Sequence, residues 1–325
     1  MRDLRFLLKY PNVVGYSNQL LPKIFKGTET KELAIRVYVI KKVPESNLKK
    51  EEIIPKRIDG IPTDVVETGK IEAFSQTGKT SKVRPVSLGL SVSHWNVTSG
   101  SLGMLYEYQG KIVAGSNAHV LTDNPSKKPE EVTEKRILQP GTYFAGQNVD
   151  NIVGTYLWHE RVRPLTETCP IAGKIANVLN NIFRLFHRRS RFLLASYPTN
   201  YIDFAVYFPS VDHVCDFYDK CTPQNYDFIG HLFAGSDTTG VVCKVKYILG
   251  KKFKPCWNYT SDIKVGDKTH GCSFWCHYDT SVSDPSANLI VSYRDFEAYY
   301  EDVIMLKNDG TIRGGYSGSG WFKVK

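Results

Sequence analysis

From residue 85 onward the chain alternates short apolar runs with glycine, asparagine and aspartate turns, the spacing of many short strands rather than of helices. The clearest pair is Gly103 to Tyr108 and Lys111 to Ala114 around Gln109-Gly110, which predicts a tight hairpin. Further on, Asn288 to Tyr293 and Glu301 to Leu306 read as strands, and Asn308-Asp309-Gly310 as a turn. Ahead of residue 75, Val13 to Tyr16 and Ala34 to Ile40 predict two strands. Pro44 to Ile54 predicts a short helix, and Asp59-Gly60 a turn into a strand over Thr63 to Ala73. One stretch breaks the β pattern. Ile171, Ile175, Val178, Leu179, Ile182, Phe183 and Phe186 recur at helical spacing and predict a helix over 171–187. Arg184, His187, Arg188, Arg189 and Arg191 gather at its end, where the helix dipole favours cations. Packing on the β core is the first reading of this helix, and a membrane- or partner-binding face the second.

Length and composition then narrow the class. A chain of 325 residues buries a full core and can form two or three compact units. With 42% apolar and 23% charged residues, it is not a disordered chain. Lys and Arg exceed Asp and Glu by 42 − 33 = 9, but the lysines are dispersed. That reads as solubility before nucleic-acid binding, which is not expected as the main function. No run approaches the roughly 18 apolar residues of a membrane span. Met1 to Lys9 is interrupted by charge too early for a signal peptide, so an intracellular location is expected. All seven cysteines fall at or after Cys169. His270, Cys272, Cys276 and His277 offer ligand-type side chains, but the spacing reads first as ordinary buried thiols. Neither a metal nor a cofactor is expected, and disulfides from Cys272 or Cys276 to Cys215, Cys221, Cys243 or Cys256 stay open.

Three segments carry candidate chemistry. Gly314-Gly315-Tyr316-Ser317-Gly318-Ser319-Gly320-Trp321 presents a serine among glycines, where the backbone can turn sharply and a substrate can approach closely. Ala114 to Leu121 runs from an apolar strand into His119. Asn200 to Tyr207 embeds Asp203 in an apolar strand, where a buried carboxylate must be paired or hydrogen-bonded. Their chain order, His, Asp, Ser, is that of chymotrypsin-type enzymes.

Here the chain resembles the trypsin-like serine peptidases of the chymotrypsin fold, closest to a bacterial and archaeal branch with an N-terminal α/β extension. The resemblance runs through Asn12 to Gly15, Ala34 to Val39, Gly60 to Glu67, Gly100 to Gly103, Ser116 to Leu121, Ile137 to Gly141, Asp203 to Ala205, Gly266 to Lys268 and Gly315 to Ser319. It implies a mainly β, chymotrypsin-like double β-barrel. A small α/β domain would cover 1–75, a first barrel with the helical insert 76–215, and a second barrel with the nucleophile 216–325. It further implies Ser317 as nucleophile, His119 as general base, Asp203 as its orienting partner, and the amides of Gly315 and Ser317 as oxyanion donors. The substrate would be a polypeptide, and homo-oligomers are permitted. Two features depart from the family. Tyr316 stands where an aspartate is usual, and only 325 − 317 = 8 residues follow the serine. Yet Phe228 to Asp237 and Val241 to Leu249 resemble the segments that relatives carry after theirs, so the second barrel reads as circularly permuted, with a truncated or processed C-terminus as the simpler alternative. In that order Ala234, Gly235 and Ser236 line the substrate pocket. The other function classes are a peptidase-fold assembly protein with little turnover and a basic nucleic-acid-associated module.

Overall fold

The computed structural model describes residues 3–25, 28–73, 81–165, 198–218, 225–274, 277–312 and 316–325. The chain is mainly β, in one large sheet, one smaller sheet and a two-stranded pair. The predicted helix over 171–187 lies outside the described residues.

The smaller sheet is built from residues 91 to 209, with one strand, Lys254–Pro255, added from later in the chain. Its pairings run from Met104–Tyr108 to Lys111–Ser116, Ala205–Pro209, Ile152–His159, Arg136–Leu138, Ser91–His94 and Gly100–Ser101. Gly100–Ser101 and Met104–Tyr108 are successive pieces of one stretch, so the sheet curls until its ends meet there. The hairpin is as the sequence predicts. Gln109 (φ 51°) and Gly110 (φ 73°) both sit in the left-handed region, which matches the twist of the flanking strands.

The large sheet holds a second circuit. Tyr226–Ser236 pairs with Thr239–Lys244, which pairs with Glu297–Lys307, then His277–Ser292, Lys268–Cys272 and Gly320–Val324, and the last returns to Tyr226–Ser236. Side chains alternate across these strands, and Ile229, Leu232, Val242, Val282, Ile304, Leu306 and Trp321 form a core together with Ile312 and Tyr316 from the stretch before the last strand. A larger cluster, including Tyr106, Phe204, Phe228 and Phe253, joins the two circuits.

The N-terminal strands join the large sheet. Val13–Phe25 pairs with His277–Ser292 and so extends the large sheet through Thr28–Val39 and Ile61–Glu67. A Cβ on Gly15 would strike the Asn288 carbonyl, so glycine is what permits this seam. The expected helix at 44–54 is instead two single 3₁₀ turns, Glu45–Asn47 and Lys50–Glu52, both without buried residues. With no apolar face to bury there, tertiary packing cannot stabilise a longer helix. Among the described residues the segment is therefore β with 3₁₀ turns, not α/β. On this sheet Arg36 and Asp64 face each other across a parallel pair, Nε to Oδ2 3.4 Å, nearly enclosed.

Candidate active site

His119 and Asp203 are brought together by strand register. Lys111–Ser116 pairs with Ala205–Pro209, Ser116 opposite Ala205, so the residues just beyond that pair meet. Beyond Ser116 the chain makes a single helical turn, Ala118–Leu121, and Asp203 reaches its first amides. Oδ1 accepts from the amides of Ala118 at 2.6 Å and His119 at 3.3 Å, and Oδ2 lies 2.7 Å from His119 Nδ1. Asn117 Nδ2 donates to the Asp203 carbonyl at 2.7 Å, closing the turn against its partner strand.

One further side chain holds this carboxylate that the sequence did not single out. Tyr293 donates its hydroxyl to Oδ2 at 2.7 Å and lies 2.5 Å from the Tyr300 hydroxyl. The Asp203 amide donates to Cys243 Sγ at 3.2 Å. Burial alone raises a carboxyl, but His119 and the Tyr293 hydroxyl outweigh it and hold Asp203 below the usual carboxylate range. Burial pushes the Cys243 thiol well up, so it is not a nucleophile here. With Nδ1 donating to Asp203, the lone pair of His119 is on Nε2. That atom is buried and meets no hydrogen-bond partner among the described residues.

Ser317 lies in the turn that closes the second circuit. Gly318 (φ 86°) takes a conformation that L side chains avoid, and a Cβ there would collide with Ser116 Oγ and the Ser101 carbonyl. The turn is fixed on both sides. The Ser317 carbonyl accepts from the Ser101 amide at 2.7 Å, Gly318 N donates to Leu232 O at 2.9 Å, and Leu232 N to Ser319 O at 3.1 Å. His231, another residue not expected at the site, contacts the Gly318 carbonyl through Nδ1 at 2.8 Å and the Tyr106 hydroxyl through Nε2 at 2.5 Å. Burial lowers its pKa to about 4, so the ring is neutral at physiological pH, with Nδ1–H donating to the carbonyl. Gly100 is pinched between the two turns. A Cβ on it would meet both Val120, beside His119, and the Ser317 carbonyl. The serine turn and the histidine turn are thus one residue's thickness apart, with Ser317 fully buried.

The remaining expected residues are placed as follows. Gly315 lies outside the described residues. Tyr316 fills the core of the second circuit at 1% exposure, an apolar packing position rather than a charged one. Ala234 and Gly235 are buried, paired on one side with Val241 and Gly240 and on the other with Ala73 and Glu72. Ser236 donates its hydroxyl to the Thr68 carbonyl. These three are therefore lined by the N-terminal segment. A cleft of about 560 Å³ beside them is lined by Arg36, Tyr38, Thr68, Thr239 and Met305 and contains neither His119 nor Ser317. Leads to a lone histidine in an apolar strand (His231) and a tyrosine ending one (Tyr293) existed in the sequence, but both signals are shared by ordinary core residues.

Neither a protein-family model nor a curated protein matches the sequence.

Proposed function

We propose that this chain is a trypsin-like serine endopeptidase that hydrolyses peptide bonds through Ser317, His119 and Asp203. The observation that carries the reading is the saturated Asp203 carboxylate on His119 Nδ1, with Nε2 unpartnered among the described residues, one residue's thickness from the serine turn. A histidine whose Nδ1 is held by a carboxylate, with Nε2 facing a buried space, is what removal of a hydroxyl proton requires. Ser317 Oγ would attack the peptide carbonyl as Nε2 takes its proton, and the imidazolium would return that proton to the leaving amine. Asp203 fixes the tautomer and offsets the charge that develops on the ring. The amides of Gly315 and Ser317 are the oxyanion donors by resemblance, each worth about 3–4 kcal/mol in the transition state.

The strand order supports the chymotrypsin-like double barrel. In the first circuit the histidine follows Lys111–Ser116 and the aspartate precedes its pairing partner, Ala205–Pro209. In the second, taking Tyr226–Ser236 and Thr239–Lys244 as the pair that relatives carry after the serine gives the order a circular permutation produces. The condition that would exclude it, wide separation of 228–249 from Ser317, is not met, because Leu232 is bonded to Gly318 and Ser319.

One observation favours a second reading, a peptidase-fold assembly protein with little turnover. Ser317 has no exposure and the side chain of His119 only 11%, whereas a working nucleophile must admit a peptide. Intact mass after exposure to a fluorophosphonate probe separates the two. The peptidase reading expects one adduct on the wild type and none on Ser317→Ala or His119→Ala. A folded wild type that takes no adduct favours the assembly reading.

A further inference from the structure

The Lys268–Cys272 and His277–Ser292 hairpin carries a second constellation, away from the His119–Asp203 pair. Register puts Cys272 opposite His277 and His270 opposite Asp279, and residues two apart on a strand share a face. All four side chains therefore rise from the same side of the hairpin. His270 Nε2 and His277 Nδ1 lie 3.2 Å apart, and His277 Nδ1 and Cys272 Sγ 3.3 Å apart. One ligand atom from each of the three falls within 4.8 Å of the others. In a tetrahedral zinc site with ordinary bond lengths, neighbouring nitrogens stand about 3.3 Å apart and a nitrogen and sulfur about 3.5 Å. Two of the three edges of such a site are already at that length.

The surroundings fit as well. His270 Nδ1 lies 2.7 Å from Asp279 Oδ1, and that contact sets the proton on Nδ1 and aims the Nε2 lone pair at the cluster. Tyr226 stacks on His270 and His270 on His277, with interplanar angles of 17° and 13°, which fixes both rings. We propose that His270, Cys272 and His277 bind a divalent metal ion of the zinc type, with Asp279 orienting His270 from the second layer. Two imidazoles and a thiolate select zinc over calcium or magnesium, whose ligands are oxygens. Cys276, adjacent in sequence, lies outside the described residues, and the fourth position is not assigned. This reverses the first reading of these residues as ordinary buried thiols. Cys272 pairs with Gly320, three residues after Ser317, so the metal pins the strand next to the serine turn.

The inference does not depend on peptidase activity, and its test does not use it. Reduced, full-length protein is stripped of metal and titrated with cobalt(II), and absorption is read from the near ultraviolet to the visible. The expected result is about one equivalent bound, with tetrahedral d–d bands and a thiolate charge-transfer band, and displacement by zinc. Cys272→Ser removes the charge-transfer band, and His277→Gln weakens cobalt binding at least tenfold, with far-ultraviolet circular dichroism confirming that each is folded. A wild type that binds no cobalt or zinc overturns the proposal whatever the variants do. So does a charge-transfer band that survives in folded Cys272→Ser, which would place the thiolate elsewhere.

Discussion

His231 offers a test of the serine turn that needs no substrate. Its ring is enclosed, bridging the Gly318 carbonyl and the Tyr106 hydroxyl, and burial holds its pKa at about 4 against an ordinary 6.5. The hydrogen bond to Gly318 and the nearby Asp203 charge act the other way and only partly offset burial. A group whose folded pKa is depressed contributes stability that is complete above its unfolded pKa and is lost as pH falls through its folded one. Here the window runs from about 6.5 down to about 4. Across that window, at about 1.36 kcal/mol per pH unit, the loss is about 3 kcal/mol.

Glutamine at this position does not titrate, so the difference between wild type and His231→Gln isolates the effect. His94, His159 and His213, also lowered by burial, are present in both proteins and cancel. Urea unfolding of the two proteins at pH 7.5, 6, 5 and 4.5 is the assay. At pH 7.5 the variant is less stable by about 1–3 kcal/mol, the cost of an imperfectly replaced buried hydrogen bond. As pH falls the wild type loses stability faster, so the gap closes and then reverses, moving by about 2–3 kcal/mol over the series. A gap that stays constant would mean that His231 is not held neutral, and the account of how the turn is fixed would be wrong.

Three other outcomes follow from the same contacts. Asp203→Asn leaves the carboxylate's place filled but changes the hydrogen-bonding pattern on His119 Nδ1, so probe labelling slows by about 10⁴-fold while the protein stays folded by circular dichroism. Gly318→Ala puts a Cβ against Ser116 and Ser101 at φ 86°, which costs about 1–3 kcal/mol for the backbone alone and displaces the serine; unfolding and labelling both report it. Asp64→Ala leaves the enclosed Arg36 guanidinium without its carboxylate, and a loss of about 3–5 kcal/mol in urea unfolding is expected, against little change for an exposed pair such as Lys56–Glu45.

What could be read in advance divides along physical lines. The hairpin at Gln109-Gly110 and the strands on either side were legible because turn chemistry and two-residue alternation are local signals. His119 and Asp203 stood out because each ends or interrupts an apolar run, and the register that joins them follows once those two strands pair. Tyr293 and His231 did not stand out. Their roles are set by partners at sequence separations of 90 and 87, and nothing in the flanking residues encodes those contacts. The helix expected at 44–54 failed for a related reason. A proline, a serine and acidic residues make a good helix start, but a start is not propagated without an apolar face to bury.

The N-terminal segment shows the same dependence on distant partners, and it changes how the site is understood. Read alone, residues 1–75 offer no candidate catalytic residue. In the fold, the Ser292 amide donates to the Ile71 carbonyl at 3.0 Å, and Ser292 pairs with Glu72. Glu72 and Ala73 also pair with Gly235 and Ala234 on the opposite side of the second circuit. This short strand therefore ties two sides of the circuit together at one end. The next residue after Ser292 is Tyr293, whose hydroxyl holds Asp203. The support of the carboxylate thus passes from the first sheet, through Ala118 and His119, and from the N-terminal strand, through Ser292 and Tyr293. Two chain segments that look independent in sequence meet on one pair of oxygens, and neither alone accounts for the four hydrogen bonds those oxygens accept.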